Sequence, residues 1–271
     1  AKTGIDIHPG RIRATIMDSL FIDAEGWAID GCPDNFNNNE FQTSGLTGSK
    51  GAVRIDGCKQ SYSYESNVLR GNHIGVQIGS NDLADKITLR DWMIDQSVTY
   101  GVDHSGSLNK LVIVDYKNGG GITSCGIGVQ LSSSGSTTEI TGMNIASNYD
   151  AGIRVSRGAI KLLGSQVSDN GKYGVLFESG ADNQNSWIHK SNLFSNALYE
   201  VSNTSSQDLN ASENYWGEYS DPDSAFFEME KGTTNITKLH DYYDNSGYGR
   251  IIFDDPEWEI LWVNGEVTYN P

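Results

Sequence analysis

Apolar and polar residues alternate in short triplets along the chain, and each triplet follows a glycine. The stretches "GIDIHPG" from Gly4, "GVQIGSN" from Gly75, "GVQLSSS" from Gly128 and "GIRVSRG" from Gly152 share the order glycine, apolar, polar, apolar. Alternation with a period of two is typical of a β-strand with one buried face. The pattern therefore predicts short strands whose apolar residues point inward. The predicted inward pairs are Ile5/Ile7, Val53/Ile55, Val76/Ile78, Val129/Leu131, Ile153/Val155 and Val175/Phe177.

The triplets recur at nearly constant spacing. A period of roughly two dozen residues indicates stacked units, and most units carry a second apolar stretch such as "ITLRDWMI" from Ile87. We predict an all-β fold: a right-handed parallel β-helix (solenoid) of about nine coils over residues 1–217, with an irregular C-terminal capping segment over 218–271. The marker positions are Gly4, Gly26, Gly51, Gly75, Gly101, Gly128, Gly152, Gly174 and a degenerate ninth near Tyr199.

An amide side chain usually stands before the next marker, three residues after an apolar one. Stacked at a bend, such amides can hydrogen-bond along the solenoid and satisfy backbone groups of the turns. The sequence therefore predicts an asparagine ladder. Its members are Asn72, Gln96, Asn148, Asn170 and Asn196.

Charge and composition exclude some partners. The formal net charge of −16 disfavours nucleic acid and anionic lipid, both of which attract basic proteins. No stretch approaches the roughly 18 consecutive apolar residues of a membrane span, so we expect no membrane insertion. Because the repeat begins almost directly at Gly4, we expect other domains of a longer chain to cap the first coil.

Two stretches near the end of the chain carry a family resemblance, "SENYWG" from Ser212 and "ITKLHDYYDNSGYGRIIF" from Ile236. With the repeat from Gly4 to Gly217, the chain resembles the right-handed parallel β-helix repeat family of the pectate-lyase-like superfamily, and its end resembles the closing segment of secreted bacterial and archaeal members. The resemblance implies a secreted or cell-surface protein and a polysaccharide partner. The matching residues of the closing segment are Asn214, Tyr215, Trp216, Gly217, Asp241, Asp244 and Gly249.

The polar residue of each triplet points outward in this fold. Sugar hydroxyls favour planar, bidentate partners and carboxylates favour arginine, which makes an outward row of such residues a candidate substrate-binding surface. The alternative is an ordinary solvated sheet face. The predicted row is Asp6, Ala28, Arg54, Gln77, Asp103, Gln130, Arg154 and Leu176, of which Arg54, Gln77, Asp103, Gln130 and Arg154 are the predicted substrate-binding residues.

The next predicted row starts at His8 and places Asp30 and Asp56 on adjacent coils. Two carboxylates about 5 Å apart repel each other unless a cation or a proton lies between them. Asp30 and Asp56 are therefore candidate metal ligands, and Ca²⁺ is the candidate ion because it takes oxygen ligands. The alternative is a pair of solvated loop aspartates, and no cofactor is required on either interpretation.

The stretch "TYGVDHSG" from Thr99 resembles the Tyr-Gly-x-Asp-x-His motif of alginate epimerases. That resemblance implies Tyr100, Asp103 and His104 as catalytic residues in a proton abstraction. Asp103 and His104 are adjacent here, whereas the family separates them by one residue. The triplet frame places His104 at an inward position, so a buried histidine is the alternative. The ordered motifs of the pectin hydrolases of this superfamily do not occur, and we expect no hydrolase of that type.

Four tyrosines fall near the same bend of successive coils, Tyr100, Tyr149, Tyr173 and Tyr199. Exposed rings of this kind would bind a neutral glycan, which a chain of −16 does not repel, and tyrosines stacked at the core edge are the alternative. Three functions remain open: a glycan-binding module without catalysis, a polysaccharide lyase or uronate epimerase, and a rigid spacer or adhesin stalk.

The sequence leaves open whether two of the three cysteines form a disulfide. Cys32 and Cys58 end matching "IDGC" strings, so adjacent coils should bring them within reach, and Cys125 has no such counterpart. Cα atoms about 4.8 Å apart are within the range that a disulfide tolerates. A disulfide and a pair of buried thiols are equally consistent with the sequence.

Overall fold

Most described coils place one strand in each of three parallel sheets, which we name A, B and C in the order in which a coil visits them. The structure is a computed structural model that describes residues 4–7, 14–45, 50–81, 83–117, 119–217 and 238–253. Within these residues the protein is an all-β parallel β-solenoid of about eight turns, as the repeat predicts, and the helical content is a single 3₁₀ turn, Asn183–Asn185. His8 lies outside the described residues.

Sheet A holds the predicted triplets, and among the described residues it has ten strands. They are β1 (Ile5–Ile7), β4 (Ile29–Gly31), β7 (Val53–Ile55), β10 (Ile74–Ile78), β13 (Tyr100–His104), β16 (Ile127–Leu131), β19 (Ala151–Val155), β22 (Tyr173–Phe177), β25 (Tyr199–Asn203) and β27 (Leu239–His240).

Sheets B and C each have eight strands in the described part of the chain. Sheet B comprises β8 (Tyr62–Glu65), β11 (Lys86–Arg90), β14 (Lys110–Val114), β17 (Thr137–Thr141), β20 (Ala159–Leu163), β23 (Trp187–His189), β26 (Leu209–Asn210) and β28 (Ile251–Ile252). Sheet C comprises β3 (Leu20–Ile22), β6 (Glu40–Gln42), β9 (Val68–Arg70), β12 (Met93–Asp95), β15 (Gly121–Thr123), β18 (Asn144–Ala146), β21 (Gln166–Ser168) and β24 (Asn192–Phe194). A separate pair joins β2 (Thr15–Met17) to β5 (Asn35–Asn37).

The predicted inward residues form the core, with one exception. Val76 and Ile78 are fully buried and pair in register with Val53 and Ile55 of the preceding coil. Ile5 is 38% exposed, so its predicted burial is wrong. The reason is its position, because β1 is the outermost strand of sheet A and only β4 lies beside it.

The register also corrects the predicted markers of the first coils. Ile29 pairs with Val53, so the buried Ala28 occupies the glycine position and Gly26 lies outside the pattern. The prediction that Ala28 points outward is therefore wrong. Asp30 takes the outward place and pairs with Arg54, because backbone pairing and not the nearest glycine sets the alignment.

The bend from sheet C to sheet A explains the predicted ladder. One residue in the left-handed conformation, such as Ser147 or Asp169 with φ near +58°, is followed by a buried asparagine. Asn148 Nδ2 donates to Asn170 Oδ1 at 2.9 Å, and Asn170 Nδ2 donates to Asn196 Oδ1 at 2.8 Å. These bonds run along the solenoid from one coil to the next and satisfy polar groups that the core would otherwise leave without partners.

One predicted ladder member is wrong. Gln96 is itself the left-handed residue of its bend, with φ +57°, and Ser97 is the buried residue that follows it. Both positions of the bend accept polar residues, so the three-residue spacing from Met93 did not show which of Gln96 and Ser97 is the buried ladder residue. Cys125 holds the corresponding place on the next coil, where its backbone N donates to Asn148 Oδ1 at 3.0 Å.

A disulfide lies at one end of the described solenoid, and two additional strands lie at the other. Cys32 and Cys58 form a disulfide with Cα atoms 5.2 Å apart, which settles the pairing that the sequence left open. At the other end β27 adds to sheet A and β28 adds to sheet B, so residues 238–253 continue the coil pattern. Residues 218–237 and 254–271 of the predicted capping segment lie outside the described residues. No helix in the described part of the chain is long and apolar enough to span a bilayer.

Candidate functional site

The predicted substrate-binding residues lie side by side on the outer face of sheet A. Register pairs join Arg54 to Gln77, Gln77 to Asp103, Asp103 to Gln130 and Gln130 to Arg154. Together with Asp30 at the start we call these residues the sheet A row. They come from strands β4 to β19, so the alternating pattern alone brings them to one face.

Hydrogen bonds within the protein engage much of the sheet A row. Gln77 Nε2 donates to Asp103 Oδ2 at 2.8 Å, and Ser105 Oγ donates to the same oxygen at 3.0 Å. Gln130 Nε2 donates to Ser156 Oγ at 3.1 Å. Asp103 is only 6% exposed, and burial raises the pKa of its carboxyl against the opposing effect of these donors. The row is thus an ordered polar surface whose side chains are held in place before any ligand arrives.

Asp30 and Asp56 do not stack on each other as the sequence predicted. Arg54 lies between them, with Nη1 3.6 Å from Asp30 Oδ1 and Nη2 3.1 Å from Asp56 Oδ2. The guanidinium takes the place between the carboxylates that the sequence assigned to a cation, because Asp30 belongs to the sheet A row and Asp56 follows the next strand. Burial raises the pKa of Asp30, and the positive charge of Arg54 opposes this increase. No group of three or more His, Cys, Asp or Glu side chains in the described ranges is placed to hold a metal ion.

The three predicted catalytic residues lie on one strand but on both of its faces. Asp103 belongs to the outer face of sheet A, and His104 is fully buried in the core. Tyr100 is half-buried at the start of the strand, three residues before Asp103, where it lines the bend that precedes sheet A. His104 Nδ1 lies 2.9 Å from Thr138 Oγ1 of sheet B. Burial lowers the pKa of His104 to about 4, so its ring is neutral near pH 7. The structure therefore separates His104 from Asp103 by face and places Tyr100 at the bend, three residues along the strand from Asp103.

A shallow cleft of about 410 Å³, widely open to solvent, lies beside the sheet A row at the bend that precedes the sheet A strands. Its floor contains Gly126, where an added Cβ would lie 2.5 Å from Thr99 O, so no side chain fits. The lining comes from four successive coils, which at about 4.8 Å per strand span roughly 14 Å. We call this the aromatic cleft, and its lining residues are Val98, Thr99, Tyr100, Gly126, Ile127, Tyr149, Asp150 and Lys172.

Tyr149 dominates the wall of the aromatic cleft. It is 79% exposed, whereas Tyr100, Tyr173 and Tyr199 are half-buried. Tyr199 stacks between Tyr173 and His240, with ring centroids 6.1 and 4.9 Å apart. The four predicted tyrosines thus divide into a stacked pair at one end of the bend and two that line the cleft.

Charged groups at the cleft are paired with each other. Lys172 Nζ lies 2.8 Å from Asp150 Oδ1, and Arg154 also contacts the Asp150 carboxylate. The hydrogen bond from Lys172 to Asp150 raises the pKa of the lysine. Arg154 Nε also lies 3.8 Å from Glu178 Oε1, so two cations and two carboxylates balance here. The cleft therefore presents tyrosine rings beside a balanced group of charges, which suits an uncharged ligand.

Comparison of the chain with protein-family models, with curated proteins and with solved structures finds no match. The site is therefore defined by its geometry alone. Sequence reasoning singled out Tyr100 and Tyr149 but missed Thr99, Asp150 and Lys172. Their common signal is their place one residue before the sheet A strands β13, β19 and β22.

Proposed function

We propose that this β-solenoid domain binds a neutral polysaccharide in the aromatic cleft, with the sheet A row as an adjoining polar surface. The observation that carries the proposal is the cleft over Gly126, which has Tyr100 on one coil and the exposed Tyr149 two coils later. Aromatic rings contribute large apolar contact area, and a few fixed polar groups orient a bound ligand. A cleft about four coils long suits a chain of sugars better than a single compact molecule.

The charge distribution favours a neutral chain over a polyuronate. Arg54, Arg154 and Lys172 each pair with a carboxylate of the protein, and the formal net charge is −16. A polyanion would therefore meet repulsion that the paired cations do not offset. Binding on this proposal requires no Ca²⁺, because the Arg54 guanidinium already lies between Asp30 and Asp56.

A lyase or epimerase is the second candidate. It is favoured by Asp103, an outward carboxyl whose pKa is raised by burial and which lies on the same strand as Tyr100. On this candidate Asp103 is the base and Tyr100 the proton donor, and the interior His104 takes no part. A spacer or adhesin stalk is the remaining alternative and predicts no ligand in either place.

We also infer a secreted or cell-surface location, as part of a longer chain in the right-handed parallel β-helix repeat family. The Cys32–Cys58 disulfide supports an oxidising compartment. The family rests on the sequence resemblance of the closing motif, in which Asn214 Nδ2 donates to Ile188 O and Ala211 O at 2.7 Å. Asp241 of the same segment accepts hydrogen bonds from the backbone of Tyr243 and Ile251.

Native affinity gels separate the three functions. The protein is run in gels that contain neutral or uronate polysaccharides, with Ca²⁺ or with EDTA, while parallel incubations measure the absorbance of unsaturated products and the composition of the uronates. We expect retardation by a neutral polysaccharide that persists in EDTA, without product. Uronate turnover that Asp103→Asn abolishes would favour the lyase or epimerase. No retardation and no product with any polysaccharide would leave the stalk.

A further inference from the structure

A second cleft of about 670 Å³ lies on sheet C, where its lining residue Gln96 is two residues before Val98 of the aromatic cleft. One row of its floor carries Met93, Gly121, Asn144 and Gln166 in register on β12, β15, β18 and β21. Gly121 interrupts this row of longer side chains. An added Cβ there would lie 3.2 Å from its nearest neighbour, the backbone oxygen of Asn144, which is a tight contact, and the missing side chain opens the cleft.

Asp115, Gly119 and Gly120, which follow β14 and precede β15, form one wall of the cleft. Asp115, which is 2% exposed, accepts hydrogen bonds from the backbone N of Lys117 at 3.0 Å and of Gly120 at 2.8 Å. Lys117 Nζ lies 3.4 Å from Asp91 Oδ2, and Asp91 Oδ1 accepts from Tyr116 N at 2.7 Å. Asp115 and Gly120 are therefore held in place before a ligand binds, which reduces the entropy lost on binding.

Polar groups of both kinds converge on the floor. Asp95 pairs in register with Arg70 on one side and Thr123 on the other, and Thr123 Oγ1 donates to Asp95 Oδ1 at 2.9 Å. Asn144 and Gln166 add an amide each, and Gln166 Nε2 donates to Ser168 Oγ at 3.2 Å. A carboxylate, a guanidinium and two amides side by side match a ligand with several neighbouring hydroxyl groups, each of which both donates and accepts.

The charges of the floor select against ions. Arg70 and Asp95 are neighbours of opposite sign, and Asp115 is already engaged by its own backbone donors. An anion would be attracted by Arg70 and repelled by Asp95, and a cation would be attracted by Asp95 and repelled by Arg70. We propose that the sheet C cleft is a separate binding site for a neutral sugar unit, held by Asp95, Asn144 and Gln166 with its apolar side against Met93. This proposal holds whether or not the aromatic cleft binds a ligand.

Met93 provides a direct probe of this site. In protein labelled with ¹³C at the methionine methyl groups, we expect titration with glucose, galactose, mannose and their disaccharides to shift the Met93 methyl signal saturably for at least one sugar. Met143, which is fully buried, and Met17, at the first coils, serve as internal controls and should not move. A Met93 signal that does not move with any neutral sugar would overturn the proposal, as would larger shifts with galacturonate or glucosamine.

Three variants make the test specific. Gly121→Leu fills the cleft and should abolish the shift, and Asp95→Asn, which keeps the acceptor for Thr123, should weaken binding about tenfold. Tyr149→Ala should leave the Met93 titration unchanged while it weakens polysaccharide binding at the aromatic cleft, so failure of one site is distinguishable from failure of the other. An unaltered titration in Gly121→Leu would place the ligand elsewhere and contradict the assignment.

Discussion

Glu200 occupies the position of the recurring glycine on the ninth strand of sheet A, where it ends the asparagine ladder. Asn196 donates to Glu200 Oε2 from its side chain and, at 3.4 Å, from its backbone N. This oxygen takes the place that the next asparagine Oδ1 would hold. Glu200 is 2% exposed, and burial raises its pKa from 4.5 to about 7 against the opposing donors of Asn196 and the charge of Lys238.

Glu200 should make stability depend on pH. Between pH 4.5 and about 7 the folded state keeps a proton that the unfolded state has lost, so the free energy of unfolding falls as pH rises. The two pKa values correspond to about 3 kcal/mol, and Glu200→Gln should remove this dependence. Urea unfolding of both proteins from pH 4.5 to 8 measures it. A constant difference in stability between them across this range would contradict the assignment.

The comparison between the two proteins is necessary because His104 acts in the opposite direction. Its pKa is lowered from 6.5 to about 4, so the folded state loses stability as pH falls through this range. In the wild-type protein the two effects partly cancel between pH 4.5 and 6.5. Subtracting the two curves removes the His104 contribution, which is common to both.

At the scale of the element, the glycine of each sheet A strand allows neighbouring coils to approach the ladder. A Cβ at Gly152 would lie 2.8 Å from Asn170 Nδ2, Gly174 O and Val167 Cγ1. Gly152→Ala should therefore lower the free energy of unfolding by about 1–3 kcal/mol. Gly119→Ala is the matched control, since nothing lies within 4 Å of its Cβ position, and it should change stability by less than about 0.5 kcal/mol. Equal effects of the two substitutions in urea unfolding would refute this role.

The strand pattern could be predicted from the sequence because a period of two has only one way to bury Val76 and Ile78. The prediction from the sequence failed where a residue other than the expected one occupies a position of the repeat. Ala28 is small enough for the glycine position at the first coils, which shifted Asp30 into the outward row. At the bend, the left-handed Gln96 and the buried Ser97 are both polar neighbours, and only the backbone conformation separates them.

At the scale of the whole molecule, the disulfide ties two coils at the beginning of the solenoid. Cys32 and Cys58 are 26 residues apart, and closing such a loop stabilises a fold by about 2–4 kcal/mol. We expect reduction to lower the melting temperature. Thiol titration in denaturant should find one reactive thiol, Cys125, before reduction and three after it. Three reactive thiols without reductant would contradict the pairing.

The candidate site was only partly predictable, for a geometric reason. Alternation placed Gln77, Asp103 and Gln130 on one face, because side-chain direction follows sequence order within a strand. A cleft depends instead on which coils have a residue without a side chain at a bend. Gly126 is such a residue, and it lies between Thr99 and Asp150 of the adjacent coils. Those residues are about two dozen positions apart in the sequence, so the cleft emerges only when the coils stack.

Binding of a neutral polysaccharide by Tyr149→Ala and by Tyr242→Ala tests the central claim most directly. Tyr242 is 45% exposed but follows β27 and lines neither cleft, so it controls for loss of an exposed ring. With the polysaccharide that retards the wild-type protein most, we predict that Tyr149→Ala weakens binding about tenfold or more, from the loss of at least about 1.4 kcal/mol of contact, and that Tyr242→Ala binds as the wild type does. Unchanged affinity in Tyr149→Ala, or an equal loss in both variants, would contradict binding in the aromatic cleft.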